Sequence, residues 1–409
     1  MVAHTTSLRY RPIFSAITGG VECVALALGP FLSGAIAHYA SWRISFYIII
    51  PSSALGIVVV FFSIGHLRKS DNAHLTNKDV LKKIDWVGFG TSVPMTLTLV
   101  LALQWGGTVY AWSNWRIILL LVLAGVLTAF FVFWERKAGD HSMIPLKMLK
   151  QRSVALASII TFCDFAHLSV VAYYVSMLAT QIALSIYLVL TLYQLPLYFQ
   201  AVRGASTFQS GLMYLPLAIA LAVVAFVGGP LTTWFGYYNP VLIIGGTFAV
   251  VGAGLLTTLG LDTSMGKWIS YQIIYGIGIG LAFQPPYMAV QTVLAESMVP
   301  MALVMLSFAQ QLGGIVVLAI AQNVFLTVLS RNLARVHGLD SAAVNNGGAL
   351  GIIESAPEHL RGQVLSAYNG ALKDVLYIPL VLACLVAVCM FGLEWKSVKK
   401  VKEDEKSMS

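Results

Sequence analysis

Charged side chains are scarce in this chain. They make up 10% of its 409 residues, while 58% are hydrophobic and the mean hydropathy is +0.81. A soluble protein needs many more charges on its surface, so this composition excludes a soluble globular class. Apolar runs of about 20 residues recur, which is the length that crosses a bilayer core. They lack the period-two alternation of barrel strands. The sequence therefore predicts an all-α, polytopic integral membrane protein.

Cysteine is also rare, and the sequence lacks the motifs of enzyme chemistry. All four cysteines lie in apolar runs without the spacing of metal ligands, namely Cys23, Cys163, Cys384 and Cys389. We interpret them as packing residues. There is no nucleophile elbow, no zinc or Asp-rich metal motif and no Walker loop. We expect no metal, no other cofactor and no enzymatic activity.

Ten apolar runs predict ten membrane-spanning helices. They cover residues 13–37, 44–64, 86–103, 117–134, 154–174, 210–228, 240–260, 268–290, 301–329 and 375–393. Most of the 25 Lys and Arg residues then lie on the same side as the N-terminus, which the positive-inside rule makes cytoplasmic. The net charge of +8 comes from these short loops, so we expect a lipid bilayer and no nucleic acid as a partner.

The stretch 175–194 is apolar enough for an eleventh span, yet it has the features of a retained intron. Its first two residues can be encoded by GTAAGT, a typical donor sequence, and its last codon by CAG, a typical acceptor. Removing it joins Tyr174 to Leu195 and preserves the reading frame. Pyrimidine-rich intron sequence translates into apolar residues, so apolarity alone does not identify a span. We predict an insertion here, with a true span as the alternative.

The first predicted span carries the most informative pattern. Glycine and proline let a membrane helix bend and pack closely against a neighbour. The pattern comprises Gly20, Gly29, Pro30 and Gly34, followed by Ser41, Trp42 and Arg43. It resembles motif C, in the fifth helix of proton-driven antiporters of the major facilitator superfamily, with Ala25 and Ser33 replacing two glycines. The resemblance implies a helix between two halves of the protein that biases the exchange direction. Ordinary glycine-mediated packing is the alternative.

The resemblance covers nearly the whole chain. Other stretches similar to fourteen-helix drug:proton antiporters, especially fungal efflux pumps, include residues 101–107, 271–280, 310–314, 322–325 and 394–398. The resemblance implies that four helices of the complete fold precede this chain. It also implies four parts: the end of an N-terminal half, two inserted helices, a C-terminal six-helix half and a cytoplasmic tail, at residues 1–66, 67–152, 153–394 and 395–409.

The loop after the sixth span keeps part of a second family motif. Gly229, Leu231 and Gly236 fit the glycine frame of the superfamily's cytoplasmic motif A loop. The Asp and Arg of that motif are missing from this copy. We therefore expect a cytoplasmic turn here, without the charged contacts of the complete motif.

Charged residues inside spans are costly and so are functional candidates. Asp164 lies about 18 Å along its helix from Arg152, near mid-membrane. His167 follows three residues later on the same face. Both groups titrate when their surroundings change, so they are candidates for proton coupling. A static ion pair is the alternative. Glu22 in the first span is a third candidate, facing either a cavity or the cytoplasmic interface.

Polar groups in other spans are candidates for a substrate cavity. Gln272, Tyr275 and Gln284 share the eighth span, and Tyr173 lies in the fifth; by resemblance both spans line the cavity. Amides and aromatic rings suit weak recognition of large amphipathic solutes. Hydrogen bonding between helices is the alternative. Residues 276–280 superficially match a phosphate-binding glycine loop, but no strand precedes them.

Together these features predict a proton-coupled efflux transporter for a small amphipathic molecule, such as a fungal secondary metabolite or a toxic compound. Its partners would be that substrate, protons and the bilayer. The resemblance implies a monomer, and we expect the plasma membrane. The alternatives are a truncated, inactive fragment of such a transporter and an uptake permease of the same fold.

Overall fold

A computed structural model of the chain describes residues 11–39, 41–67, 85–107, 109–139, 142–143, 146–193, 207–260, 263–336 and 358–398. Thirteen helices and no strand occur in these residues. The helices are α1 Arg11–Tyr39, α2 Trp42–Tyr47, α3 Ile49–Leu67, α4 Trp86–Trp105, α5 Trp115–Ala138, α6 Leu146–Leu149, α7 Arg152–Tyr193, α8 Thr207–Phe235, α9 Asn239–Thr257, α10 Met265–Ala282, α11 Pro285–Val293, α12 Val299–Leu333 and α13 Glu358–Met390.

The structure confirms an all-α, polytopic membrane fold. Eight segments of the described chain are long and apolar enough to cross a bilayer, from Trp86–Trp105 to His359–Met390. The first two predicted spans fall on α1 and α3, which contribute the shorter apolar stretches Ile13–Leu26 and Ile49–Phe62. The second predicted span begins with a separate short helix, α2, which Ser41 caps by accepting a hydrogen bond from the Arg43 amide.

Helix α7 lies at the centre of the bundle and packs against both α12 and α13. Helix α1 packs along α8, while α10 packs against α8 and α9. Glycine allows α10 to pack this closely against α8, because a Cβ atom on Gly276 would lie 2.6 Å from the Leu217 carbonyl oxygen of α8. Gly280 meets the same helix at Leu221. These glycines serve close helix packing in α10. This agrees with the sequence, in which residues 276–280 lack the preceding strand of a phosphate-binding loop.

The eighth predicted span is broken, which the sequence analysis did not predict. Helix α10 ends at Ala282, Phe283 and Gln284 form a bend, and α11 starts at Pro285. Proline cannot donate a backbone hydrogen bond, so Pro285 and Pro286 fit the first turn of a new helix, where the amides have no intrahelical acceptor. Phe283 and Gln284 at this break line a cavity of the bundle.

The stretch 175–194 continues α7 through its last described residue, Tyr193. The helix has 42 residues, so it is about 63 Å long, roughly twice the thickness of a hydrocarbon core. Its first part, Arg152–Val175, is a packed span with 61% of its most apolar stretch buried. No turn separates Tyr174 from the stretch, so the described residues contain no separate eleventh span here. Residue Gln194 lies outside the described residues.

The predicted loop after the sixth span is mostly helical, which corrects the sequence analysis. Helix α8 continues through Gly229 and Leu231 to Phe235, because the apolar run does not end before that residue. The chain reverses only at Gly236, whose φ of 78° favours glycine. The last helix also differs from prediction, since α13 begins at Glu358.

Hydrogen bonds connect the turn at Gly236 to the segment after α13. The Gly236 carbonyl accepts hydrogen bonds from the Val398 amide at 2.9 Å and the Ser397 hydroxyl at 3.1 Å. The Tyr238 hydroxyl donates to the Glu394 carbonyl. The Glu394 amide donates to the Ser153 hydroxyl at 3.3 Å. The start of α7, the α8–α9 turn and the end of α13 therefore lie at one end of the bundle.

Candidate functional site

Asp164, His167 and Tyr275 form a buried hydrogen-bonded group between α7 and α10. Nε2 of His167 lies 3.2 Å from Oδ1 of Asp164, one helical turn earlier. Nδ1 of His167 lies 2.7 Å from the Tyr275 hydroxyl. His167 and Tyr275 have no exposed surface, and Asp164 is 5% exposed. With Asp164 ionised, Nε2 donates to the carboxylate and Nδ1 accepts from Tyr275.

One atom of this group has no hydrogen-bond partner among the described residues. It is Oδ2 of Asp164, which is buried. A buried carboxylate oxygen without a partner is costly, since its hydration is lost without replacement. A proton placed on Oδ2 would remove the negative charge and leave the bond between Oδ1 and His167 in place. The arrangement can therefore hold one additional proton without rearranging the imidazole.

Gln272 and Tyr275 lie inside the helix packing and not at a cavity wall. Gln272 is fully buried, and its Nε2 donates to the Met213 carbonyl of α8 at 3.1 Å. Tyr275 bonds to His167. Tyr173 lies on the outside of α7 with 49% of its surface exposed, and its ring packs against that of Tyr174. Of the four predicted cavity residues, Gln284 lines the cavity near α1 in the described structure.

That cavity lies where α1, the α10–α11 break and α12 meet. Its volume is about 460 Å³, within the usual range for sites that bind small molecules. Its wall is rich in polar groups: the carboxyl group of Glu22 and the hydroxyls and amides of Ser15, Thr18, Gln284, Gln291, Ser307, Gln310 and Gln311. Phe283, Tyr287, Pro300 and Leu303 supply apolar surface. Glu22 is the one charged side chain among the described lining residues.

The side chain of Gln310 on α12 links Glu22 on α1 to Tyr287 on α11. The Gln310 side chain is 5% exposed, and its Nε2 donates to Oε1 of Glu22 at 3.3 Å. The Tyr287 hydroxyl donates to Oε1 of the same amide. A chain of two hydrogen bonds thus runs from α11 through α12 to α1.

Two adjacent glycines let α1 approach this wall. A Cβ atom on Gly19 would overlap the side chain of Gln284, and one on Gly20 would lie 2.5 Å from the ring of Phe226 on α8. Gly29 faces open space. Pro30 and Gly34 lie within α1. In the described structure, the glycines that contact neighbouring helices are therefore those in the first part of α1.

A second and larger cavity lies between α4 and α5. Its volume is about 660 Å³, and it is lined by apolar residues apart from Thr128 and Arg136. Both helices are largely exposed, with only 22% and 17% of their most apolar stretches buried. In a bilayer, such a surface faces lipid. This groove has fewer polar groups in its lining than the cavity at Glu22.

The sequence analysis missed Gln310, Tyr287 and Gly19. Gln310 and Gln311 are amides inside an apolar helix of 35 residues, which is the kind of residue that bonds between membrane helices. The adjacent prolines Pro285 and Pro286 were available as an indication of a broken helix. Which polar groups would meet at that break depends on the packing of three helices, and no spacing within the sequence encodes it.

A bundle of membrane spans with a polar cavity at a helix break, beside buried titratable groups, defines a membrane transport protein. The sequence matches the Major Facilitator Superfamily over residues 1–318. The chain belongs to this superfamily and is a transporter, not an enzyme.

Three relatives have names that refer to efflux. The efflux pump aflT of Aspergillus parasiticus is 36% identical over 401 residues, which are 98% of this chain and 74% of that protein. The MFS-type efflux pump MFS1 of Trichophyton rubrum is 35% identical over 403 residues, covering 98% and 72%. The aspyridones efflux protein of Neocamarosporium betae is 36% identical over 408 residues, covering 99% and 69%.

Proposed function

We propose that this protein is a proton-coupled exporter of small amphipathic molecules. The observation that carries the proposal is the position of Glu22 in the wall of a cavity that also contains hydroxyls, amides and an apolar surface. An acid in a membrane cavity binds a proton when the cavity faces the acidic side and releases it on the other side. The names of the relatives support export, and secondary metabolites are the substrate class that we infer from them.

Asp164 and His167 are the second candidate for the coupled proton. Their bond to Tyr275 links the central helix α7 to α10, which continues into the break at the cavity. We infer that protonation of Asp164 alters how α7 packs on α10, because the charge on the carboxylate sets the strength of its bond to His167. Glu22 would then meet substrate, while Asp164 would bias the packing.

We also propose a division of the chain into parts. Helices α1 to α3 would end an N-terminal half, α4 and α5 would be the inserted pair, and α7 to α13 would form the C-terminal half. The packing of α4 on α5 and of α1 on α8 supports this division. In it, α1 lies between the halves, where Gly20, Gly29, Pro30 and Gly34 would bias the exchange direction. We infer that the protein is a monomer. We also infer that it lies in the plasma membrane, which imaging of a fluorescent fusion would test.

Export from yeast cells tests the proposal. Cells lacking their own drug pumps would express the chain and be loaded with rhodamine 6G, a cationic probe, or emodin, a neutral phenolic probe. We expect export that stops with a protonophore and is lost in Glu22→Gln and Asp164→Asn. The matched controls are Glu296→Gln, in an exposed loop, and Asp374→Asn, on an exposed face of α13. Probe accumulation by the wild type would indicate uptake and contradict the proposal.

A further inference from the structure

The amide of Gln310 has a fixed orientation between two helices. The ionised Glu22 carboxylate can only accept, so the amide nitrogen of Gln310 is the end that faces it, and the amide oxygen is left to accept from the Tyr287 hydroxyl. An amide nitrogen can only donate, and the Glu22 oxygen at 3.3 Å can only accept from it. Gln310 is 5% exposed, whereas Glu22 is an exposed residue, so the amide is shielded while water still reaches the carboxylate. While Glu22 is ionised, the direction of both hydrogen bonds is therefore determined, and Tyr287 supplies the donor for the Gln310 oxygen.

The strength of the bond from Gln310 to Glu22 depends on the charge of the carboxyl group. A hydrogen bond to an ionised acceptor is roughly twice as strong as one between neutral groups. Protonation of Glu22, or a ligand donor that occupies its carboxylate, would weaken the bond. Glu22 belongs to α1, whereas Gln310 and Tyr287 belong to α12 and α11. This bond is thus a charge-dependent connection between α1 and the other side of the cavity.

Tyr287 also lies within electrostatic reach of both Glu22 and Asp164. The other titratable groups close to the connection are Cys23 on α1, which interacts with Glu22, and Tyr214 on α8, which interacts with Cys23. Helix α12 contributes only hydroxyl, amide and apolar groups to the described cavity wall, and the α10–α11 break contributes Phe283 and Gln284. No basic side chain of the described lining competes with Gln310 for the carboxylate.

We propose that Gln310 is a positioning residue whose bond to Glu22 holds α1 against α12 while Glu22 is ionised, and releases it when Glu22 is neutral. Tyr287 keeps the amide in the orientation that this requires. The proposal rests on the proposed proton-coupled export, because it assigns to that transport the contact that senses the proton. Gln310 itself neither gains nor loses a proton.

A double-mutant cycle on the purified full chain tests this connection without any substrate. The variants are Glu22→Gln, Gln310→Met and the double variant, each measured by its Tm in detergent at pH 8 and at pH 5. At pH 8, Gln310→Met is expected to lower the Tm by about 2–4 °C, and by less in the Glu22→Gln background. At pH 5 the difference between the two backgrounds is expected to be smaller, because part of the Glu22 population is then neutral. Gln311→Met, in the same wall, is the control and should show no such coupling.

Equal shifts from Gln310→Met in both backgrounds and at both pH values would overturn the proposal, because Gln310 would then be only structural. If Gln310→Met does not fold, Tyr287→Phe takes its place, since it removes the orienting donor with little change in shape. It is expected to reduce the pH 8 coupling, and unchanged coupling would overturn the proposal. Export of rhodamine 6G and emodin is measured separately. Coupling in the cycle without export would leave the connection standing and contradict the proposed function.

Discussion

The Tyr275 hydroxyl lies 2.7 Å from Nδ1 of His167, and both side chains are completely buried. This contact joins α7 to α10 across 108 residues of sequence. With Asp164 ionised, its carboxylate can only accept and keeps the ring proton of His167 on Nε2, so Nδ1 accepts from the Tyr275 hydroxyl. The pair recognised in the sequence as two residues on one helix is therefore a group of three residues on two helices.

Loss of the Tyr275 hydroxyl is expected to destabilise the protein. In Tyr275→Phe the ring remains, but Nδ1 of His167 loses its donor inside the bundle. Hydrogen bonds between membrane helices contribute about 0.6 to 1.7 kcal/mol, so the Tm in detergent should fall by several degrees. Tyr377→Phe, at an exposed position of α13, is the control and should leave the Tm unchanged. An unchanged Tm in Tyr275→Phe would mean that the contact does not form in solution.

Close packing of α10 depends on glycine at one position and not at another in the same helix. Gly276→Ala places a Cβ atom 2.6 Å from a backbone oxygen of α8, while Gly266 has open space around it. Overpacking costs about 1–3 kcal/mol. We therefore expect a lower Tm and reduced expression for Gly276→Ala. Gly266→Ala should be neutral or slightly stabilising, because alanine favours a helix over glycine. Similar stability of the two variants would contradict the packing of α10 on α8.

The segment after α13 is expected to stabilise the bundle. A chain ended after Val398 keeps the bonds to Gly236 and Ser153, whereas a chain ended after Gly392 loses them. Several hydrogen bonds of about 1 kcal/mol each are removed in the shorter chain. Its Tm should be lower, and protease should cut the α8–α9 turn faster. If the two chains have the same Tm and cleavage rate, the segment does not fasten the turn.

Removal of residues 175–194 should preserve membrane insertion, because α7 is about twice as long as a bilayer requires. The deletion is expected to maintain or raise expression and monodispersity in detergent. As a control, deletion of α9, Asn239–Thr257, should abolish both, since it removes a whole span and inverts the orientation of the later helices. Loss of the folded protein in the 175–194 deletion would support a true span.

The membrane class and most of the spans could be predicted from the sequence, because a bilayer imposes length and apolarity on every crossing segment. The buried position of Asp164 beside His167 follows from a spacing of three residues on one helix. The cavity could not be placed in this way. Tyr173, Gln272 and Tyr275 have the chemistry of a cavity wall, yet the packing turns them to the outside or into the helix contacts. Polarity shows that a side chain needs a partner, and only the assembled bundle shows whether that partner is protein or substrate.

The central claim is that substrate movement and proton movement are coupled through Glu22. The most direct measurement uses proteoliposomes with a pH-sensitive dye inside, to which rhodamine 6G or emodin is added outside. Transport of the probe inward should drive protons outward, so the lumen should become alkaline with the wild type. We expect no such change with Glu22→Gln or with protein-free liposomes, and an unaltered response with Glu296→Gln. Probe transport by the wild type with no change of lumenal pH would contradict the account.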